Sequence, residues 1–338
     1  MIDTKRTIRW GIIGCGDVCE VKSGPGFAKA ENSALVAVMR RDGDKARDFA
    51  QRHGVSRWYD DAQKLIDDPE VDAVYVATPP SSHEEYAVRV ALSGKPVYVE
   101  KPMACTYPQC QRMVEAAQVA QTPLFVAYYR RALPRFLKVQ EILQSGGIGE
   151  VRAVTCQHYQ RALVDLRDGS SMDAAKLPWR VRPEIAGAGL FLDLASHTLD
   201  LLDFLLGPIA TVSGGAANQA GLYPAEDIVI GHWQHQSGVL GTGIWCFSAG
   251  HNFERNEIIG SRGRLVFSTF DQEPIEWHSQ DGLQTFEVAH PPHIQQPLIQ
   301  VIVNELSGEG VSPSKGESAA RTSWVLDQFL ELYRADKK

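Results

Sequence analysis

The chain has 338 residues with a formal net charge of −7, and 44% of its residues are apolar and 22% are charged. This composition is typical of a globular protein, and the length favours two domains over one. The negative charge and the absence of a Lys/Arg-rich run disfavour nucleic-acid binding. No apolar run reaches the length of a membrane span, and the first residues lack a signal-peptide pattern. We therefore expect a cytoplasmic protein with neither nucleic-acid nor membrane partners.

The cysteines indicate neither a disulfide framework nor a metal site. The pairs that lie closest in sequence lack CxxC spacing, and no cysteine neighbours a histidine in a zinc-binding pattern. We therefore expect reduced thiols and no bound metal. The six residues are Cys15, Cys19, Cys105, Cys110, Cys156 and Cys246.

The first part of the chain alternates predicted strands with predicted helices, which is the pattern of a doubly wound parallel sheet. Predicted strands cover residues 8–13, 34–39, 71–77, 96–100 and 123–128. Predicted helices cover residues 44–53, 60–67, 84–93 and 108–121, and another helix follows the first strand. We therefore predict an N-terminal α/β domain of the Rossmann type at residues 1–128.

A glycine-rich turn follows the first predicted strand. Gly14 and Gly16 supply the first two glycines of a G-x-G-x-x-G/A pattern, and Cys19 stands in the third place. Such a turn lets backbone amides approach a pyrophosphate at a helix N-terminus, so Gly14, Gly16, Asp17 and Val18 are candidate cofactor-binding residues. A helix, predicted to be interrupted at 23–26, and a second strand complete the arrangement. Together they favour a dinucleotide-binding domain.

The end of the second predicted strand indicates which dinucleotide binds. An NAD-binding fold commonly has Asp or Glu at this position to hold the ribose 2′-hydroxyl, whereas this chain has Met39-Arg40-Arg41. Arginine is suited to a 2′-phosphate through bidentate, charge-assisted hydrogen bonds. We therefore favour NADP over NAD, with Arg40 and Arg41 as contacts. Surface arginines beside Asp42 and Asp44 are the alternative interpretation.

Two further loops lie at the carboxyl ends of predicted strands, where open parallel sheets bind ligands. The first contains Thr78 and Pro79 and leads to His83 at the start of a helix. The second contains Glu100 and Lys101, followed by proline. All five residues are candidate cofactor-binding residues, and Lys101 is also expected to point into the ligand crevice. An exposed Glu–Lys turn is the alternative for the second loop.

The pattern changes near residue 129, where strands joined by short turns predominate. We predict a second α/β domain at 129–338, built on a large, mostly antiparallel open sheet. One sheet face would carry helices, and the other would be free for oligomer formation. Predicted strands cover 151–159, 211–217, 227–236, 239–247, 256–260, 264–268 and 285–288. Predicted helices cover 135–144, 297–307 and 317–334.

The second half contains a carboxylate and a histidine at helical spacing. Gly187-Ala-Gly189 leads into a predicted helix on which Asp193 and His197 lie four residues apart, on one face. A carboxylate near a histidine can fix the tautomer of the ring and stabilise its charged form, as an acid/base pair requires. A capping Asp with a core His is the alternative. A metal site is disfavoured because no further ligand is evident.

Four motifs together identify a resemblance to a known family. They are Gly14-x-Gly16, Ala77-Thr-Pro-x-x-x-His83, Glu100-Lys101-Pro102 and Asp193-x-x-x-His197-x-x-Asp200. In these motifs the chain resembles the glucose–fructose oxidoreductase, inositol dehydrogenase and rhizopine-catabolism (Gfo/Idh/MocA) family along essentially its whole length. The resemblance implies a Rossmann domain, a C-terminal open-sheet domain and a homodimer or homotetramer. It also implies hydride transfer between nicotinamide and a sugar, cyclitol or related polyol.

The resemblance also implies roles for particular residues. Lys101, Asp193 and His197 would be catalytic and would contact the substrate, and the Lys101–Pro102 peptide would be cis. Tyr159 is a further candidate substrate contact. Arg180 is a candidate cofactor contact, with an ion pair to Glu184 as its alternative. Two other functions stay open: a non-catalytic NAD(P)-sensing regulator and an NAD-dependent glycosidase.

Overall fold

The computed structural model describes residues 6–162 and 177–336, and the chain divides into two compact units. The division differs from the predicted single boundary after residue 128, because a later segment returns to the first unit. The first unit comprises the chain up to Leu133 and Pro291–Ala320; the second comprises Pro134–His290 and the chain from Arg321 onward.

Within the described residues, the first unit contains a six-stranded parallel sheet in the order β3-β2-β1-β4-β5-β6. This confirms the predicted doubly wound sheet. The strand order reverses between β1 and β4, and such a switch point is where open α/β sheets bind ligands. The strands are β1 Ile8–Ile13, β2 Ser33–Met39, β3 Arg57–Tyr59, β4 Ala73–Val76, β5 Val97–Val99 and β6 Leu124–Val126.

Helices connect these strands, and their ends follow local sequence signals. Asp42 caps α2 by accepting a hydrogen bond from the amide of Lys45 at 3.2 Å, and Gly54 ends the helix in the left-handed conformation. The helices of this part are α1 Gly24–Lys29, α2 Gly43–His53, α3 Ala62–Ile66, α4 His83–Leu92 and α5 Tyr107–Val119.

The predicted interruption of the first helix is wrong. The helix begins at Asp17 and continues through a π-helical turn, Cys19–Ser23, directly into α1. The amide of Gly24 donates to the carbonyl of Cys19, five residues earlier. Pro25 follows immediately and has no N–H to donate, so the wider π turn carries the helix into the proline without a break.

In the described part of the second unit, eight strands form a sheet in the order β14-β13-β12-β11-β7-β10-β9-β8. Only β7 and β10 pair in parallel there, which confirms the predicted mostly antiparallel sheet. The strands are β7 Val151–Arg161, β8 Ile209–Ala217, β9 Ile228–His235, β10 Leu240–Ala249, β11 Phe253–Gly260, β12 Gly263–Phe267, β13 Ile275–Ser279 and β14 Gly282–Phe286.

One face of this sheet carries the core of the second unit. Trp233 and Trp245 are each 1% exposed, and Gly241 on β10 leaves room for the Trp233 ring. The helices are α6 Pro134–Gln144, α7 Pro183–Ala186 and α8 Ser196–Leu206. The stretch Pro183–Leu206 is apolar and long enough to cross a membrane, but 83% of its most apolar window is buried within the protein. Its hydrophobicity is therefore that of a core segment.

The returning segment closes one edge of the first unit. It contains α9 Gln296–Leu306, which packs on α1 where Gly26 leaves space for Ile299. The hydroxyl of Ser314 donates to the carbonyl of Val126 at 2.7 Å, and the next residue bridges to β6. The chain then enters its last helix, α10 Gly316–Ala335. These contacts explain why the segment belongs to the first unit.

Candidate active site

The glycine turn after β1 has the shape that a pyrophosphate requires. Gly14 has a φ of +90°, and a Cβ there would lie 2.7 Å from Cγ2 of Thr78, so glycine is needed. A Cβ at Gly16 would meet nothing closer than 3.9 Å. The amides of Asp17 and Val18 lie in the first turn of the helix, where backbone donors have no intrahelical acceptor. The turn therefore offers N–H groups to an anion.

Thr78 adds a second indication of a ligand at this edge. Its Oγ1 atom is buried and has no hydrogen-bond partner among the described residues. Thr78 follows β4 and lies against Gly14, and the adjoining Pro79 is exposed. A buried hydroxyl without a partner costs stability unless a ligand or water satisfies it. The turn and this hydroxyl together fit a bound dinucleotide.

His83 holds two loops of the ligand edge together. Its Nε2 atom lies 2.6 Å from the carbonyl oxygen of Thr78, and its Nδ1 atom lies 3.0 Å from that of Pro102. Burial lowers the pKa of His83, although the carbonyl oxygens around the ring oppose this shift. The ring is fully buried. His83 therefore positions the two loops, whereas it was predicted to contact the cofactor.

Glu100 points into the interior of the first unit. Its carboxylate accepts hydrogen bonds from the hydroxyl of Tyr75 at 2.5 Å, from Nε2 of Gln295 at 2.7 Å and from the amide of Lys101 at 3.0 Å. Gln295 in turn accepts a hydrogen bond from Tyr98 at 3.2 Å. Glu100 is only 6% exposed, so the alternative of an exposed Glu–Lys turn is wrong. The carboxylate therefore fixes the backbone from which Lys101 projects, whereas direct contact with a cofactor was predicted.

Lys101 is half-buried at the end of β5, and the Lys101–Pro102 peptide is cis, as the resemblance implies. At the neighbouring end of β2, Nη1 of Arg40 lies 3.5 Å from the carbonyl oxygen of Cys15 in the glycine turn. Arg41 is exposed. The first unit thus places two basic side chains, Lys101 and Arg40, at the carboxyl edge of its sheet.

In the second unit, Asp193 lies in a π-helical turn, Phe191–Ala195, that precedes α8. Its carboxylate forms an ion pair with Nε of Arg180 at 3.2 Å, and the Arg180 guanidinium stacks over Trp179 at 4.5 Å. The alternative ion pair from Arg180 to Glu184 is wrong, because Glu184 pairs with Arg182 at 2.8 Å. Arg180 therefore lies beside a candidate catalytic carboxylate, whereas it was predicted to contact the cofactor.

His197 lies near the start of α8 and is 3% exposed. Its ring meets the ring of Phe270 edge-on, with centroids 5.9 Å apart. Farther along α8, Asp203 accepts two hydrogen bonds from Arg321 on α10, at 2.9 and 2.8 Å. Asp200, the last residue of the fourth motif, is buried and accepts a hydrogen bond from Thr322 at 3.3 Å. These bonds anchor the helix that carries His197.

Tyr159 and His158 lie on opposite faces of β7. The ring of Tyr159 contacts His251 and Phe253 at 5.8 and 5.7 Å, on the open face of the sheet. The ring of His158 contacts Phe270 at 5.2 Å, on the side that carries His197. The predicted substrate contact Tyr159 therefore faces away from His197. His158 was not predicted as a site residue, although it shares the parity of the buried strand residues Val154 and Cys156.

Residues 8–128 match the oxidoreductase family with an NAD-binding Rossmann fold, and residues 136–266 match the GFO/IDH/MocA C-terminal domain. An oxidoreductase from Formosa agariphila is 39% identical over 322 residues, which are 95% of this chain and 98% of that protein. The chain belongs to the Gfo/Idh/MocA family. The Gfo/Idh/MocA resemblance drawn from the four motifs is thereby confirmed.

Other Gfo/Idh/MocA relatives match over nearly the whole chain. The myo-inositol 2-dehydrogenase of Thermotoga maritima is 26% identical over 344 residues, covering 98% of both chains. A levoglucosan dehydrogenase in complex with NADH and levoglucosan has the same fold, with a TM-score of 0.84 and 22% identity over 97% of this chain and 98% of that one. This Gfo/Idh/MocA protein is an NAD(P)-dependent oxidoreductase of the sugar and polyol class.

Proposed function

We propose that the protein transfers a hydride between a nicotinamide cofactor and a hydroxyl-bearing carbon of a sugar, cyclitol or related polyol. The observation that carries the proposal is Lys101, whose backbone is fixed by the buried carboxylate of Glu100 at the ligand edge of the first unit. Relatives named for inositol and levoglucosan support this substrate class. The glycine turn and Thr78 support a dinucleotide at the same edge.

The proposed chemistry assigns one role to each side chain. When bound, the nicotinamide ring accepts or donates the hydride. In the direction of oxidation, His197 accepts the hydroxyl proton as a general base, and Asp193 orients the imidazole or the substrate. Lys101 donates a hydrogen bond to the reacting oxygen and stabilises the negative charge that develops there. Lys101 is the alternative candidate for the proton transfer.

A panel of sugars and cyclitols, offered to the purified protein with NAD⁺ or NADP⁺, tests this function. We expect cofactor reduction with at least one compound, and reoxidation when the corresponding ketone is added with the reduced cofactor. Tight cofactor binding without hydride transfer across the panel would instead favour an NAD(P)-sensing regulator. Cleavage of a glycoside without net reduction would favour an NAD-dependent glycosidase.

We further propose that NADP(H) is preferred over NAD(H). Arg40 lies beside the glycine turn, and no carboxylate stands at the end of β2, in Met39-Arg40-Arg41. We expect Arg40→Ser to lower kcat/KM for NADPH by roughly tenfold to a hundredfold. The kcat/KM for NADH should stay nearly unchanged. Arg47→Ser, on the exposed side of α2, is the control. A wild-type preference for NADH would overturn the proposal.

The open face of the eight-stranded sheet supports the proposal that the protein is a homodimer or homotetramer. Ile230 and Leu240 project from this face and are 50% and 58% exposed. Exposed apolar residues on an uncovered sheet are typical of an interface between subunits. Light scattering should give the mass of two or four chains, and Ile230→Asp should shift it toward one. A monomeric wild-type protein would contradict this.

A further inference from the structure

The turn that follows β12, residues 268–271, contacts α8 at two successive residues. In this β12 turn, the ring of Phe270 meets the ring of His197 edge-on at 5.9 Å, with an interplanar angle of 79°. The hydroxyl oxygen of Thr269 lies 3.2 Å from that of Thr198, and both threonines are buried. Neighbouring residues of a helix project about 100° apart. The two contacts together therefore fix the first turn of α8 and its rotation about the helix axis.

A carboxylate from β11 holds the β12 turn. Glu254 accepts hydrogen bonds from the amides of Thr269 and Phe270 at 2.6 and 3.0 Å, and also from the hydroxyl of Ser268. Asn256, two residues farther along the strand, donates to Oγ1 of Thr269 at 2.9 Å. Hydrogen bonds to an ionised carboxylate are stronger than neutral ones, so Glu254 is the main anchor of the turn.

A buried cation from α6 holds the segment that follows. Arg135 is fully buried, and its guanidinium donates a hydrogen bond to the carbonyl oxygen of Glu273. Burial lowers the pKa of Arg135, and the negative charge of Glu254 is the strongest influence that opposes this shift. The β12 turn is therefore tied to two other elements of the second unit, β11 and α6.

We propose that Glu254 is a positioning residue for His197. Its carboxylate fixes the β12 turn, and the β12 turn fixes the start of the helix that carries the histidine. This inference rests on the proposed function, in which His197 accepts the hydroxyl proton. A general base must lie within hydrogen-bond reach of that proton, and a displacement of about 1 Å can cost roughly a hundredfold in rate. Loss of the Glu254 carboxylate should therefore slow the chemical step.

Steady-state kinetics with the best compound of the sugar and cyclitol panel tests this role. We expect Glu254→Ala to lower kcat by roughly tenfold to a hundredfold, with KM and the cofactor Kd changed by less than about threefold. Glu254→Gln should recover part of the loss, because its amide oxygen can still accept a hydrogen bond from a backbone amide.

Asp227 offers a matched control in the same unit. It is buried, and its carboxylate holds another turn by accepting hydrogen bonds from the amides of Gln219 and Ala220 at 2.8 and 2.7 Å. Asp227→Ala should lower the stability as Glu254→Ala does, but it should keep kcat near that of the wild type. An equal fall of kcat in the two variants would overturn the inference, because the loss would then follow from general destabilisation.

Thr198 tests the path from the β12 turn to α8 without removing a charge. Thr198→Val removes the hydrogen bond to Thr269, and kcat should fall severalfold. If Glu254 acts through the turn, the double variant Glu254→Gln/Thr198→Val should lose less than the product of the two single losses. Losses that multiply would overturn the inference, and this comparison serves even if Glu254→Ala does not fold.

Histidine NMR gives a readout that does not need turnover. In NAD⁺-bound protein with labelled histidine, the His197 resonance is assigned by its loss in His197→Asn. It should shift in Glu254→Gln and keep its position in Asp227→Asn. An unchanged resonance in Glu254→Gln overturns the inference, whereas a shifted resonance in a protein that transfers no hydride overturns only the proposed function.

Discussion

Glu100 and Lys101 are neighbours in sequence, but their side chains have different environments. The motif predicted that both would face the ligand edge, whereas the carboxylate lies inside and accepts three hydrogen bonds. One of its donors is Gln295, which is 195 positions farther along the chain. Because that donor arrives from a remote segment, no local pattern could predict which way Glu100 points.

Substitution of Gln295 tests whether this network positions Lys101. Gln295→Leu removes a donor from Glu100 and an acceptor from Tyr98, both of which are buried. We expect the free energy of unfolding to fall by about 1–3 kcal/mol, and kcat to fall while cofactor affinity changes little. Denaturant titration and steady-state kinetics measure the two effects. Gln118→Leu, at an exposed position on α5, is the control. An equal loss of stability and of kcat in this control would contradict the role of Gln295 in positioning Lys101.

The other differences between the predicted and the observed site residues also concern the direction in which a side chain points. Tyr159 was predicted as a substrate contact, but its ring lies on the open face of the sheet, and β7 has polar residues on both faces with no clear alternation. His83 was placed correctly beside the Thr78 loop, but its burial depends on two carbonyl oxygens that follow later in the chain. Chemical type was therefore predictable, and side-chain direction was not.

At the scale of elements, the long strands and helices were predicted within a few residues, because hydrophobic periodicity marks them. Two strands were missed, β3 Arg57–Tyr59 and β13 Ile275–Ser279. The first has only three residues, too few to show a period. Asp193 and His197 were predicted to share an α-helical face, but Asp193 lies in a π turn. In a π turn the hydrogen bonds join residues five apart, so spacing alone does not fix their relation.

The glycine turn makes an element-level prediction that separates folding from binding. Gly14→Ala places a Cβ 2.7 Å from Thr78 in a left-handed conformation, so the free energy of unfolding should fall by about 1–3 kcal/mol. Gly16→Ala meets no atom closer than 3.9 Å, so stability should hold while cofactor affinity falls. Calorimetry with and without NAD(P)H measures both. Equal stability of the two variants would contradict the assigned backbone roles.

At the scale of the whole molecule, buried histidines couple stability to pH. His235 accepts a hydrogen bond from Nε1 of Trp233 at 3.1 Å and faces the carbonyl of Gly207 at 2.7 Å, and burial lowers its pKa. The pKa values of His83 and His158 are lowered for the same reason. Below pH about 6.5 the unfolded chain binds protons that the folded protein excludes. The free energy of unfolding should therefore fall as the pH decreases through that value.

Denaturant titrations between pH about 8 and about 5 measure this linkage. Each histidine that stays neutral in the folded state adds a slope of up to about 1.4 kcal/mol per pH unit below its unfolded pKa. His235→Phe should reduce the slope, because one such group is removed. A stability that rises on acidification, or a slope unchanged in this variant, would contradict the assignment.

The two sheets of the protein were predictable from the sequence, whereas the path of the chain between the two units was not. Alternation of strands and helices predicted the parallel sheet, and turn-linked strands predicted the mostly antiparallel one. The return of Pro291–Ala320 to the first unit was not predicted, because its anchors are single long-range bonds such as Ser314 to Val126. The cytoplasmic location and the preference for NADP stay predictions.

Single-turnover hydride transfer in Lys101→Ala, paired with cofactor titration, tests whether Lys101 takes part in the chemical step. The Lys101 side chain is half-buried, and the neighbouring Glu100 carboxylate already accepts three hydrogen bonds from other groups. Removal of the lysine side chain should therefore leave the stability and the cofactor affinity near those of the control variant Lys64→Ala. We predict that the rate of hydride transfer falls by roughly a hundredfold to ten-thousandfold. Near-normal hydride transfer in Lys101→Ala would contradict the proposed role of Lys101 at the reacting oxygen.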